Sequence, residues 1–377
     1  MKKPAVYKDL PKDKVTTLSQ RANVIVTESI NEKGKSTIRE KVFDTDQKAA
    51  DALMKKGWEL LKKGYLFEDK QAEAGEASLH LYLGGGYTGA LAFTSSPSGI
   101  YAYQSGAISE DSSEDFMLHI SFEGQILDKI LLPQPLAWDM RYHSKLDRVL
   151  LDLDHTIYSY DLQTKQFTQL TAALKLPVSF IELSADRFVY AAHPKLYIQN
   201  LLGQLVYEGA FEAQVIQGDI CFAANLSKDG KLLALHAKKD EIALLDIEKG
   251  QLLPGLNGGF GKIEKLDFLE NKDQLLLMEA RGNRRLRLWD LNLKMEQPLT
   301  GSLEAEDGQD LKDYCLNEEQ TLLAVLRYTE IQVYEWPSQK LRISFNVAHM
   351  VKTAQIRFVG DALAVRTDYG CLSLYKI

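Results

Sequence analysis

Short apolar runs alternate with charged or glycine-bearing turns along most of the chain, and residues 226–250, LSKDGKLLALHAKKDEIALLDIEKG, show the pattern best. Residues 232–235 and 242–247 are strand-sized apolar runs. Ser227-Lys228-Asp229-Gly230 leads in and Glu248-Lys249-Gly250 leads out. Such runs bounded by Gly, Asp and Lys predict a β-hairpin. The second run recurs as a marker whose first strand position is Leu118, Ile157, Leu196, Ile242, Leu286, Ile331 and Leu372, at gaps of 39, 39, 46, 44, 45 and 41 residues. Companion strands precede the markers, for example RVLLDL, LLALHA and QLLLME. A third strand precedes each companion, as at 138–143, 220–227, 263–269 and 356–359. An outer strand follows each of the first six markers, at 126–132, 167–171, 205–208, 252–256, 297–300 and 341–345.

A β-rich period of this length predicts a propeller. The seventh marker runs to Ile377 and lacks an outer strand, while residues 79–83 have no unit of their own. The economical solution is a mainly β, seven-bladed ring over 78–377. Residues 79–83 then supply the last outer strand, which removes two exposed sheet edges. The units Leu226-Ser227-Lys228-Asp229-Gly230 and Leu286-Arg287-Leu288-Trp289-Asp290 resemble WD40 repeats, although only Trp289-Asp290 spells the name dipeptide. His349 is the one His where the family's Gly-His pair falls. The resemblance implies a rigid ring whose loops recognise a protein or peptide.

The first 77 residues follow another pattern. Residues 1–20 read as a flexible polar arm with two prolines, 22–27 as a β run, 31–34 as a turn and 36–43 as a second strand. Asp44-Thr45-Asp46-Gln47 opens a helix. Its apolar positions Ala49, Leu53, Trp58 and Leu61 keep helical spacing, and Gly64 ends it. Gly57 inside that helix costs about 1 kcal/mol against Ala and admits close approach of another segment. The acidic stretch 68–77 reads as a linker. Lys33-Gly34-Lys35, Lys41-Val42-Phe43-Asp44 and Lys62-Lys63-Gly64-Tyr65 resemble the second half of a WGR domain, an α+β module of poly(ADP-ribose) polymerases and bacterial regulators, some of which bind DNA ends. The pairing with a propeller has a bacterial style. In place of the Trp-Gly-Arg tripeptide stands Thr27-Glu28-Ser29, so the stacking ring and the phosphate-binding Arg are missing.

Charge sharpens this division. The net charge is −7, yet residues 1–67 carry 15 Lys and Arg against 9 Asp and Glu, leaving the rest at −13. Lys55, Lys56, Lys62 and Lys63 form a basic end that is the candidate nucleic-acid contact. Cys221, Cys315 and Cys371 are isolated and read as core residues of a reduced, cytoplasmic protein. No apolar leader or membrane-length run is present.

The catalytic candidates are weak. Asp152 and Asp154, in DLDHT, match the D-x-D-x-T opening of haloacid dehalogenase-like phosphatases. The motif falls between two strands of a hairpin, without the helix-rich fold that chemistry needs. Residues 84–89 satisfy G-x-G-x-x-G but precede a strand and read as a crossing into the first blade. Residues 255–262 fail the P-loop spacing. The acidic loop 304–310 and the scattered His residues indicate no metal site. The sequence therefore predicts a non-enzymatic scaffold without cofactor, with a nucleic-acid-associated regulator as the alternative and a phosphatase as the remote one.

Overall fold

The structure is a computed structural model and describes residues 3–84, 90–106, 114–171, 179–216, 219–269, 273–279, 285–304 and 310–377. Six four-stranded antiparallel sheets follow one another along the chain, the first made of Phe93–Ser96, Gly99–Gln104, Phe116–Ile120 and Ile126–Leu131. Within each sheet the residue pattern tells strand position. The central strand Arg148–Leu153 is buried at five of six residues, Asp152 included, because both of its faces are covered. Outer strands such as Ile126–Leu131 and Leu205–Ala210 alternate half-buried and exposed positions, because one face meets water. The stretch 226–250 forms the expected hairpin, Leu232–Lys238 and Glu241–Asp246, with Asp240 and Gly230 at positive φ in its turns.

Packing between sheets builds the ring. Tyr103 and Met117 of the first sheet meet Val149 and Leu151 of the second, and equivalent clusters join each sheet to the next. Leu363 and Val365 pack on Ile331 and Val333 of the sixth sheet, while Leu372 and Leu374 pack on Ile100 and Leu118 of the first. Burying a Leu or Ile side chain is worth about 1.5–3 kcal/mol, so these layers supply most of the ring's cohesion.

The remaining strands depart from the expectation of seven discrete four-stranded blades. The last three, Ala354–Val359, Ala362–Thr367 and Cys371–Lys376, pair onward with β6 (Ala77–Tyr82), at Cys371↔Tyr82 and Leu374↔Leu79. β6 then pairs with β5 (Leu66–Glu68) and β5 with β1 (Ala5–Asp9). Beyond them lie β2 (Lys14–Arg21), β3 (Val24–Ile30) and β4 (Ser36–Val42). The result is one nine-stranded sheet, and no separate N-terminal domain.

Two expectations are corrected with it. Residues 1–20 are not a flexible arm: β1 and β2 pair over five positions, and Tyr7 and Leu18 are buried beneath helix α1 (Asp46–Lys62) with Leu61. Their β pattern is short and interrupted by Leu10-Pro11-Lys12, which forms a single 3₁₀ turn. The acidic segment 68–77 is not a linker between domains but the connection between paired strands β5 and β6. Its Gly75 amide donates to the Lys376 carbonyl at 2.8 Å, and the Lys376 amide returns to Glu76 at 3.1 Å.

Helix α1 is capped by the Thr45 hydroxyl, which accepts from the Lys48 amide at 3.2 Å. The close approach expected at Gly57 is made by Tyr7, whose hydroxyl oxygen would lie 2.3 Å from any Cβ there. The helix also reaches the ring. Trp58 stacks on Tyr369 at 4.3 Å and on His349 at 5.0 Å, and His80 meets His349 edge-on. His349, the residue at the Gly-His position of the repeat, is thereby used as a joint. Burial pushes the His349 imidazole down to about 4 and His80 to about 3, so both are neutral near pH 7. No helix among the described residues is long and apolar enough to cross a membrane.

Candidate functional site

Two charged regions stand out, one at the centre of the ring and one under α1. The first strands of the sheets converge on the ring axis, and each carries a polar residue near its middle. Asp139 and Arg141 come from Ala137–His143, Glu182 from Ser179–Leu183, and Asn225 from Ala223–Leu226. Lys265 and Asp267 come from Ile263–Phe268, Asp313 from Leu311–Leu316 and Arg357 from Ala354–Val359. They line two cavities of about 450 and 560 Å³ that share Arg141, Glu182, Lys265, Asp267 and Arg357 and so form one channel.

The cations of this channel are paired. Asp139 receives Arg141 Nε at 2.9 Å on one oxygen and Arg357 Nη2 at 3.0 Å on the other. Arg141 Nη2 also lies 3.5 Å from Glu182. Lys265 Nζ meets Asp313 at 3.0 Å, and the second Asp313 oxygen accepts the Ile356 amide at 2.9 Å. Asn225 bridges the gap between acids, with its amide nitrogen 3.3 Å from both Glu182 and Asp267. Burial opposes the charge on Asp139, but Arg141 and Arg357 still hold it below the ordinary carboxylate value. Burial lifts Glu182 to about 7 against the pull of Arg141, with Asp267 and Asp139 adding to the rise.

The DLDHT motif lies at the wall of this channel. Asp154 and His155 both adopt positive φ, the backbone of a two-residue hairpin between Arg148–Leu153 and Thr156–Asp161. The strand ends at Leu153, so Asp152 is buried on the strand toward the channel while Asp154 is exposed on the turn, and the two carboxylates do not converge. Asp152 accepts the His155 amide at 3.0 Å and the Ser179 hydroxyl, and Ser179 Oγ is 3.2 Å from His155 Nδ1. The order is carboxylate, hydroxyl, imidazole. The imidazole does not stand between the other two, as it must to relay a proton from the hydroxyl. Burial, reinforced by Asp139 and despite the Ser179 bond, raises Asp152 to about 7.

The second region is a trough between α1 and the face of β2–β4. Two cavities of about 540 and 730 Å³ share Thr27, Arg39 and Lys56 and so run together. The structure brings three of the four sequence-predicted lysines here. Lys55 and Lys56 line it with Arg39, and Lys63 lies at its outer end. Lys62 points elsewhere, 5.7 Å over the Trp58 ring at the joint with the propeller. Lys56 Nζ donates to the Thr27 hydroxyl at 2.8 Å. Burial, followed by the neighbouring charges of Arg39 and Lys41, holds its ammonium below the usual value.

Lys14, Lys35, Arg39 and Lys41 are trough cations that the sequence reading missed. Alternation of Thr37, Arg39 and Lys41 along β4 was the available signal. The channel residues were missed too, although a charged or amide side chain recurs near the middle of each inner strand from Asp139 onward. Of the other motifs, 255–262 contains the end of strand Gln251–Asn257. Most of 84–89 and of 304–310 lies outside the described residues. Among the described residues no group of three or more His, Cys, Asp and Glu could hold a metal ion.

No family model matches this chain, and no curated protein does. The WGR resemblance therefore has no support beyond the quoted motifs. Solved structures do match. One chain of "Crystal Structure of Mitotic Checkpoint Complex" superposes with a TM-score of 0.61 at 8% identity, covering 82% of this chain and 94% of that one. At that identity the likeness is one of fold alone.

Proposed function

We propose that this protein is a non-enzymatic interaction platform of the cytoplasm, with a propeller as its rigid base. The observation that carries the reading is the channel network. Its cations are tied to the chain's own carboxylates, and its serine, histidine and aspartate stand in an order that does not activate a nucleophile. A propeller with its centre so occupied offers its rims, where loops sit on a rigid ring. The likeness to a chain of a solved protein complex supports that use. We read Ala354–Lys376 with β6 as a seventh blade over 78–377, extended by the N-terminal strands, and 21–67 as a degenerate WGR-like module. Three free, buried cysteines fit a reducing compartment.

The test is cross-linking mass spectrometry of the full-length protein with partners captured from its own cells. Cross-links concentrated on loops of the propeller are expected. Phosphatase activity in the purified protein that Asp152→Asn abolishes would overturn the reading.

A further inference from the structure

Strand β4 ends the nine-stranded sheet, and only β3 is paired with it. All seven of its residues are exposed, and among the described residues no backbone group on its outer edge has a partner. An edge of this length is a template for another strand. Its two faces differ. The register sets Thr37, Arg39 and Lys41 opposite Ser29, Thr27 and Ile25, on the trough side beneath α1. Ile38 and Val42 stand opposite Glu28 and Val24 on the other side, 62% and 69% exposed.

The trough side has an excess of positive charge that the chain does not neutralise. Arg39, Lys41, Lys55 and Lys56 crowd together with Glu40 and Glu59 as the only acids lining that end. No ion pair joins these cations to a carboxylate among the described residues. Burial, and after it the charges of Arg39 and Lys41, depress the neighbouring ammonium of Lys56.

We propose that β4 is the docking edge for an extended acidic segment of a partner protein, which adds to the sheet as its next strand. Alternate side chains of such a segment point to opposite faces. Its carboxylates meet Arg39 and Lys41, and its aliphatic side chains cover Ile38 and Val42. The partner sequence is therefore one in which Asp or Glu alternates with Val, Ile or Leu. The Arg and Lys that a neutral strand would desolvate without compensation are paired by an oppositely charged one. A nucleic-acid backbone would use the cations but leave the strand edge and the two exposed aliphatic residues without a role. This surface is separate from the propeller rims, so it stands or falls independently of them.

The test is fluorescence anisotropy on the full-length protein with a labelled peptide of seven residues alternating Glu with Val. A same-composition peptide with its acids in one block, two peptides N-methylated at odd or at even positions, and a single-stranded oligonucleotide serve as comparisons. The alternating peptide should bind at least tenfold more tightly than the blocked one. One N-methylation phase should abolish binding and the other leave it, because only one set of amides faces β4. Amide hydrogen exchange along β4 should slow on binding, and Arg39→Glu with Lys41→Glu should weaken it tenfold or more. The N-methyl comparison uses the unaltered protein, so it decides the matter even if the double variant misfolds. Equal binding of both phases, absence of peptide binding, or oligonucleotide binding with β4 exchange unchanged would each overturn the proposal.

Discussion

The channel and the trough are both rich in cations, yet they use charge in opposite ways. In the channel Arg141, Arg357 and Lys265 each face a carboxylate at 2.9 to 3.0 Å, supplied by the same strand for Arg141, by the next sheet for Lys265 and by a sheet beyond the neighbouring one for Arg357. In the trough Arg39, Lys41 and Lys55 are held beside one another by β4 and α1, with no carboxylate ion-paired to them among the described residues. The first arrangement holds strands in register around an axis. The second keeps a surface electrostatically unsatisfied, which favours an anionic ligand. Cation content alone says little; the partner does.

Removing one partner should expose this difference most strongly. Asp139→Ala leaves Arg141 and Arg357 facing each other inside the channel. Breaking a buried pair costs about 3–5 kcal/mol, and partial solvent access reduces that here to about 2–3 kcal/mol. Urea unfolding should show the loss, and Asp139→Ala with no effect would mean that the channel charges are as solvated as those of the trough.

The joint between the two regions should respond to acid. His80 and His349 titrate in the unfolded chain near 6.5 but are held at about 3 and about 4 in the fold, so the fold favours their neutral forms. Their contribution is complete above pH 6.5 and declines as pH falls toward 4, by up to about 1.4 kcal/mol per unit for each group. Thermal melts from pH 7 to pH 4 should record this decline. His349→Phe, which keeps a ring against Trp58, should flatten it.

Asp152 has the opposite dependence. Its carboxyl, raised from 3.8 to about 7, stabilises the fold when protonated, and that contribution is lost as pH rises from about 4 to about 7. Asp152→Asn should therefore gain about 1–2 kcal/mol relative to the parent at pH 8, with no gain at pH 4. The smallest effect belongs to the trough. Arg39→Ala should change stability by less than about 0.5 kcal/mol, since no carboxylate loses a partner. It should raise the titration midpoint of Lys56 toward its ordinary value, which NMR of the lysine side chain can follow.

Legibility in the sequence tracked how local each interaction is. The hairpins at 226–250 and 152–157 were readable because turn residues and strand alternation lie within a few positions of each other. The closing strand was readable by elimination: a marker lacked an outer partner and residues 79–83 lacked a unit. Tyr7 and Leu18 were read as part of an arm because their burial depends on α1, forty residues away. The linker reading failed for a related reason. Charge and small residues suit an inter-domain connection and a hairpin turn equally, and only the pairing of Phe67 with His80 distinguishes them.

The sequence by itself determined the repeating β architecture, the existence of the helix Asp46–Lys62 and the basic surplus of the first 67 residues. These follow from periodicity and composition, which each segment carries alone. Tertiary structure decided that the N-terminal strands extend the propeller sheet, that channel cations are neutralised and that trough cations are not. Those outcomes depend on which strands become neighbours, and a pairing between Arg357 and Asp139, 218 positions apart, leaves no trace in either residue's local surroundings.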